Sequence, residues 1–445
     1  MNNRIDFILG SLLVCLFLSN FGWSDDTALH NWGQWRGPLS RGVAPHAKPP
    51  TRWSEVENVA WKTDLPGLGH STPVAWGDRI FLTTAIPIGE KLPPRYSGAP
   101  GAHDNAPITQ RQSFVGLCVD RATGKIVWQR ALHEALPHEG AHFSASLASA
   151  SPVTDGQHIY FFFGSYGLYC LDYEGNTVWS KQLGTQNTKH GHGEGSSPVL
   201  HNNSLVINWD HEGQSFTVAL DAKSGDEKWK VERDEVTSWA SPIVVAHDGQ
   251  DQLIVSGTDR VRSYDLKDGS EIWECGGLSA NIVASPVAAD GMVFAGSSYE
   301  IRAMLAIRLK GAQGDLTGTD QVVWTRIRST PYVPSPLLYQ GSLYYLRHYQ
   351  GILTRLDART GAEKNGPFRL GPIRDIYASP VAADGRLYFS DLDGTTLVIS
   401  TDETPEVLAI NRLDDSFSAS PCLIGNEIIL RGNRRLYCLK NNNQE

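Results

Sequence analysis

No two cysteines are adjacent in this 445-residue chain, none stand as Cys-x-x-Cys, and Cys-x-x-Cys-His is missing. Those absences exclude a covalently attached c-type haem and a thiolate zinc ribbon. Basic residues are in the minority: 39 Lys and Arg against 48 Asp and Glu give a net charge of −9. A nucleic-acid partner needs a basic face, so that class is excluded as well. Gly-x-Ser-x-Gly is also missing, which removes a familiar serine nucleophile. Beyond residue 24 no apolar run approaches the roughly eighteen residues that a membrane-spanning helix needs.

What is present begins with a leader. Arg4, a mostly apolar stretch from Phe7 to Leu18, and small residues at Gly22 and Ser24 make residues 1–24 a secretory signal peptide. Lipid anchoring at Cys15 is disfavoured, because Val14 stands where a small residue is required. The mature chain is therefore expected to be a periplasmic or secreted monomer with no transmembrane segment. Its remaining cysteines, Cys118, Cys170, Cys275, Cys422 and Cys438, lie inside apolar strand patterns and are expected to be buried free thiols.

A repeat dominates the rest. Ser/Thr-Pro-apolar recurs with its proline at 73, 152, 198, 242, 286, 336, 380 and 421, and five of the seven intervals lie between 41 and 46 residues. After each proline come a short apolar run, a tight turn, two alternating strands, Asp-x-x-Gly and a strand carrying an aromatic. Four strands in 40–45 residues, repeated, predict an all-β chain folded as an eight-bladed β-propeller of four-stranded antiparallel blades. Trp128, Trp179, Trp229, Trp273 and Trp324 sit in the last strand of successive units, with Phe368 and Leu408 in that place in units 6 and 7. Their expected role is packing between neighbouring blades. The eighth unit stops after three strands, and Asn58–Gly67, with Trp61, supplies the fourth, closing the ring. The expected divisions are the leader at 1–24, an arm at 25–57 packed over the propeller's side, the propeller at 58–440 and a polar tail at 441–445.

Cys118–Gln129 (CVDRATGKIVWQ) and Ala219–Lys230 (ALDAKSGDEKWK) resemble the tryptophan-docking repeat of pyrroloquinoline-quinone (PQQ) dehydrogenases, which the BamB-type assembly lipoproteins share without binding a quinone. Gln34-Trp35-Arg36-Gly37-Pro38, GHGEGSSP and SWASP are similar to exported PQQ-like propellers of planctomycete-type bacteria. The resemblance implies the fold and leaves activity open between enzyme and scaffold. It also implies that a quinone needs adjacent cysteines and a calcium site. Without the cysteine pair, PQQ is not expected.

Insertions mark where a site belongs. The connection from Trp128 to Pro152 is long, as is that from Trp179 to Pro198, and Ile86–Gln112 interrupts the first unit. All three are expected on one face, and they carry His103, His133, His138, His142, His190 and His192. Residues just before each Ser/Thr-Pro should line a central funnel: His70, Ser149, Glu194, Trp239, Asn281, Tyr332, Tyr377 and Phe417, with Arg374 and Asp375 nearby. In an extended HGHGE segment, His190, His192 and Glu194 would share one side and offer a divalent-metal site. Hydrogen-bonding loop residues are the other reading of that segment. Asp210–Gly213 (DHEG) reads as an ordinary charged turn, with added metal ligands as the alternative.

Two functions from different classes remain. One is a BamB-like binding or scaffold propeller for an envelope protein or glycan, needing no cofactor. The other is a carbohydrate lyase or hydrolase, metal-assisted or not. In it His70, His190 or His192 would serve as acid–base group, Tyr332 or Tyr377 as proton donor and Arg374 as carboxylate clamp. A quinoprotein dehydrogenase is a third, disfavoured reading.

Overall fold

The computed structural model describes residues 26–441; the expected leader at 1–24 lies outside them. Eight blades, each built on four antiparallel strands and blade 4 extended by a fifth, are arranged around a central channel. Blade 1 comprises Val74–Trp76, Arg79–Ile88, Arg111–Asp120 and Ile126–Ala135, the innermost strand first. Blade 8 comprises Cys422–Ile424, Glu427–Arg431 and Arg435–Lys440, and its outermost strand is Val59–Asp64. The register Trp61↔Cys438 to Asp64↔Arg435 closes the ring as the sequence requires. Among the described residues no helix is long and apolar enough to cross a membrane. Cys118, Cys170, Cys275, Cys422 and Cys438 are all buried and free. Burial pushes the Cys118 and Cys438 thiols up to about 12, so they hold no reactive thiolate.

The repeated tryptophan docks each blade on the next. Indole Nε1 donates to a backbone oxygen across the interface at Trp61 (Arg121, 2.8 Å), Trp128 (Tyr173, 2.8 Å), Trp179 (Ala222, 2.9 Å), Trp229 (Leu266, 2.9 Å) and Trp324 (Ala358, 3.0 Å). The turn glycine of the next blade lies flat against the ring. A Cβ at Gly124 would come within 2.5 Å of Trp61, and one at Gly361 within 2.6 Å of Trp324. Trp273 departs from the pattern: it bonds Gln252 Oε1 of its own blade at 3.1 Å, beneath a fifth, parallel strand, Gly314–Asp315. Phe368 lies in the last strand of blade 6 and Leu408 in that of blade 7.

The Ser/Thr of each Ser/Thr-Pro has its own task. The backbone N–H of Thr72 donates to Ser151 Oγ, Ser151 to Ser197, Ser197 to Ser241, Ser241 to Ser285, Ser285 to Ser335, Ser335 to Ser379 and Ser379 to Ser420, all within 2.8–3.0 Å. The recurring hydroxyl is thus an inter-blade girdle around the channel, which explains its recurrence better than any turn preference. Ser285→Ala leaves the buried Ser241 N–H without a partner and is expected to cost about 1–3 kcal/mol, while Ser285→Thr retains most of the stability. Equal chemical-denaturation midpoints for the two variants would show that the girdle carries no stability.

The arm does not pack on the side. It crosses the channel and pairs with the inner strands, whose channel-facing groups lack a partner there. Trp32 exchanges two 2.9 Å hydrogen bonds with Ala75 of blade 1, and Gly33 O accepts from Thr154 N–H of blade 2 at 2.8 Å. Gly42 and Ala44 pair with Ala382 of blade 7, and Lys48 N–H reaches Gly425 of blade 8 at 2.6 Å. Arg36, fully buried, donates to Pro336 O at 2.6 Å and Pro380 O at 2.7 Å, joining blades 6 and 7. Facing only carbonyls, its guanidinium is lowered to about 9 by burial. The funnel therefore has a floor.

Candidate functional site

Above that floor, with Trp35 at its base, opens a cavity of about 530 Å³ on the face that carries the insertions. The first excursion and the connection between blades 1 and 2 clip together: Asn105–Ala106 pairs antiparallel with Ala141–His142. Phe143 N–H adds a 2.8 Å bond to Asp104 O, and His142 N–H a 3.0 Å bond to His192 O in the third insertion. Three separate segments are thereby fixed to each other over blades 1 to 3.

Their imidazoles meet. Ring centroids of His103 lie 4.9 Å from both His190 and His192, His190 lies 5.4 Å from His192, and His142 lies 4.9 Å from His192. Burial, followed by repulsion from the neighbouring imidazoles, lowers His192 to about 4. Asn105 organises the group: its Nδ2 donates to His190 O at 2.6 Å, and its Oδ1 accepts from His192 Nδ1 at 2.9 Å.

The expected trio of His190, His192 and Glu194 is not what assembles. Lys189–Gly191 is a single 3-10 turn with His190 at φ +59°, so the segment is not extended. Glu194 turns away and accepts from Ser165 N–H at 2.7 Å and Ser165 Oγ at 2.6 Å. A Cβ at Gly164 (φ +54°) would run into Glu194 Oε2, so glycine is required there. Burial raises the Glu194 carboxyl to about 7 against those two hydrogen bonds. His103 takes the place expected for Glu194. Among the described residues, the one trio of His, Cys, Asp or Glu whose donor atoms already lie within 4.8 Å of one another is Asp26, His30 and His46, exposed on the arm.

The opposite wall is aromatic. Tyr332 stacks on Tyr299 (5.9 Å, 18°) and Tyr377 on Tyr349 (5.5 Å, 5°). Each pair joins a residue on the approach to an inner strand to one in a turn of the preceding blade. Tyr332 was legible from its place before the proline; Tyr299 and Tyr349 stand in short turns with no repeat signature, and reasoning from the sequence missed them. Asn281, 6% exposed, lines the cavity, while its unpartnered Oδ1 is itself buried. Trp239 also lines it, its Nε1 committed to Gly193 O at 2.7 Å. His70 lines the cavity where blades 8 and 1 meet, with Nε2 3.1 Å from Asn433 Oδ1, and burial and then Arg431 lower it to about 4, so it is neutral near pH 7.

Three expected residues lie elsewhere. Arg374 is exposed and off the cavity lining, 3.6 Å from Asp393. Asp375 is likewise exposed and off the lining, and Phe417 is fully buried against Tyr437. DHEG is a bend between two strands, with Asp210 and His211 buried and Glu212 and Gly213 exposed. Asp210 is buried against Arg233, and Glu212 accepts from Thr237 Oγ1 at 2.8 Å.

All five cysteines of the described residues are buried in strands, and none lines the cavity. A family model described as outer membrane protein assembly factor BamB matches residues 112–367, more than half of the chain. No curated protein matches in sequence. Among solved structures, BamB from Moraxella catarrhalis is similar over 80% of this chain and 99% of its own, with 13% identity and a TM-score of 0.50. A europium-containing methanol dehydrogenase is similar over 90% and 89%, with 10% identity and a TM-score of 0.58. A quinohemoprotein alcohol dehydrogenase from Pseudomonas putida HK5 is similar over 94% and 81%, with 9% identity and a TM-score of 0.58. At such identities the structural likenesses carry the fold alone. With the matched repeat, the docked tryptophans and the closed ring, the chain belongs to the BamB-type family of PQQ-like β-propellers.

Proposed function

We propose that this chain is a binding propeller of the cell envelope whose funnel holds a glycan segment. The observation that carries the reading is the pair of parallel tyrosine stacks, Tyr299–Tyr332 and Tyr349–Tyr377, on one wall of a cavity large enough for a sugar ring or two. Flat aromatic faces pack against the C–H faces of sugars, and the imidazoles offer hydrogen bonds to hydroxyls. An envelope location rests on kinship with the BamB family and on the leader read from the sequence. A protein partner, on the pattern of a scaffold, is the competing occupant.

Calorimetric titration against a panel of neutral and acidic oligosaccharides tests this. A binder is expected whose affinity falls about tenfold, or roughly 1.4 kcal/mol, in Tyr332→Ala and again in Tyr377→Ala. Binding unchanged in both variants, or a panel without any binder, overturns it. A second reading, metal-assisted cleavage of the same glycan, is favoured by the imidazole group facing the tyrosine wall. Reducing-end release from the bound oligosaccharide, lost in His192→Ala, distinguishes it from binding alone.

A further inference from the structure

We propose that His103, His190 and His192 form a binding site for a divalent transition ion of the zinc class, with its open position toward the cavity. The site stands whether or not the funnel takes a glycan. Spacing is the first argument. With a metal–nitrogen distance of about 2.1 Å, three imidazoles around one tetrahedral ion have ring centres roughly 5 Å apart. The observed separations are 4.9, 4.9 and 5.4 Å.

Tautomer is the second. His103 Nδ1 lies 2.7 Å from Gly101 O, His190 Nδ1 3.2 Å from Pro100 O, and His192 Nδ1 2.9 Å from Asn105 Oδ1. Each partner is a carbonyl oxygen, which can only accept, so each Nδ1 carries the proton and each Nε2 keeps its lone pair. The Asn105 amide cannot be reversed without losing its 2.6 Å bond to His190 O. Carbonyl partners on the far nitrogen are the usual outer support of metal-bound imidazoles. His142 is different: its Nδ1 accepts from Ser144 N–H at 3.1 Å, which leaves the proton on Nε2 and makes it a donor, not a ligand.

The third argument is investment. Two insertions bring the three rings together, with His190 held in the left-handed region and a Cβ at Gly101 placed 2.9 Å from its Nδ1. Three nitrogen donors suit zinc, copper, nickel or iron and not calcium or magnesium, which take oxygen. The donor nitrogens do not yet all lie within 4.8 Å of one another, so the ion closes the site by turning rings whose centres are already in place.

The test uses chelator-stripped full chain titrated with Zn²⁺ by calorimetry and with Co²⁺ by visible absorption. One ion per chain is expected, with the intense absorption of low-coordinate Co²⁺. His103→Ala and His192→Ala should each lose more than the roughly 10–100-fold that a lost outer partner costs. Asn105→Ala should lose about 10–100-fold and Asn105→Asp less, while Glu194→Gln and the arm variants His30→Ala and His46→Ala keep the site. Circular dichroism separates an unfolded variant from an unliganded one. Stoichiometric binding that persists in the His103→Ala/His192→Ala double variant, binding that vanishes with His30 or His46, or no binding at all overturns the site. None of these outcomes depends on whether an oligosaccharide binds.

Discussion

Replacing Val59–Asp64 with a six-residue Gly/Ser sequence is expected to open the ring and cost more than any single core substitution. The replacement keeps the arm and chain length, so only the closing strand is lost. That strand pairs with Arg435–Lys440 at five positions and adds an Arg435–Asp64 ion pair at 2.8 Å. It also docks the completed blade 8 on blade 1 through Trp61 Nε1 to Arg121 O and Thr63 Oγ1 to Gly124 O at 2.7 Å. Lost burial of the indole, about 2–3 kcal/mol, adds to five ladder positions at about 0.5–1.5 kcal/mol per hydrogen bond, for a sum above about 5 kcal/mol. The freed edge of Arg435–Lys440 becomes a template for pairing with another chain. Hydrogen exchange is the sharpest measurement: amides of 435–440 lose protection first, followed by those of Arg121–Lys125. Unchanged protection with an unchanged melting temperature would mean that the ring holds without its clasp.

That clasp was legible because a propeller writes each structural demand many times. The Ser/Thr-Pro dipeptide, the turn glycine and the outer-strand tryptophan recur, so a missing fourth strand at one end and a spare one at the other identify each other. The arm has no copies to compare, and nothing in Gln34–Pro38 says that Arg36 seeks the carbonyls of two distant blades. The imidazole group was legible in part. Long insertions carrying histidines pointed to one rim, and His103, His142, His190 and His192 do gather there. Which of them share a centre was decided by single events of tertiary approach: Asn105 reaching His190 O and His192, and Ser165 drawing Glu194 aside. Of the tyrosine wall, Tyr332 and Tyr377 were legible from their place before the proline, and their partners were not, for a related reason. Tyr299 and Tyr349 become partners of Tyr332 and Tyr377 only through the stagger of one blade against the next.

The DHEG segment gives the second large expected effect, because its aspartate is the least solvated charge of an inter-blade network. Asp210→Ala is expected to destabilise the chain by about 3–5 kcal/mol. The Arg233 and Asp210 side chains are 1% and 0% exposed, with Nε–Oδ1 at 2.9 Å and Nη2–Oδ2 at 3.2 Å. Ser238 Oγ at 2.6 Å and Asn208 Nδ2 at 3.0 Å complete the carboxylate's shell. Arg233 Nη1 continues to Tyr264 of blade 4 at 2.6 Å, and Glu235, 3.6 Å from Arg233, is bonded by Arg262 of the same blade. Asp210→Ala and the double variant Asp210→Leu/Arg233→Met both leave Ser238 and Asn208 without their acceptor, but only the single variant strands the Arg233 guanidinium in the interior, while in the double variant Glu235 keeps Arg262. The double variant is therefore expected to be more stable than Asp210→Ala, an ordering opposite to additivity. Urea denaturation of the two singles and the double reads it directly. A single Asp210→Ala cost within about 0.5 kcal/mol of zero, the range of ordinary surface substitutions, would show that water reaches Arg233 and that blades 3 and 4 are joined by their tryptophan and serine contacts instead.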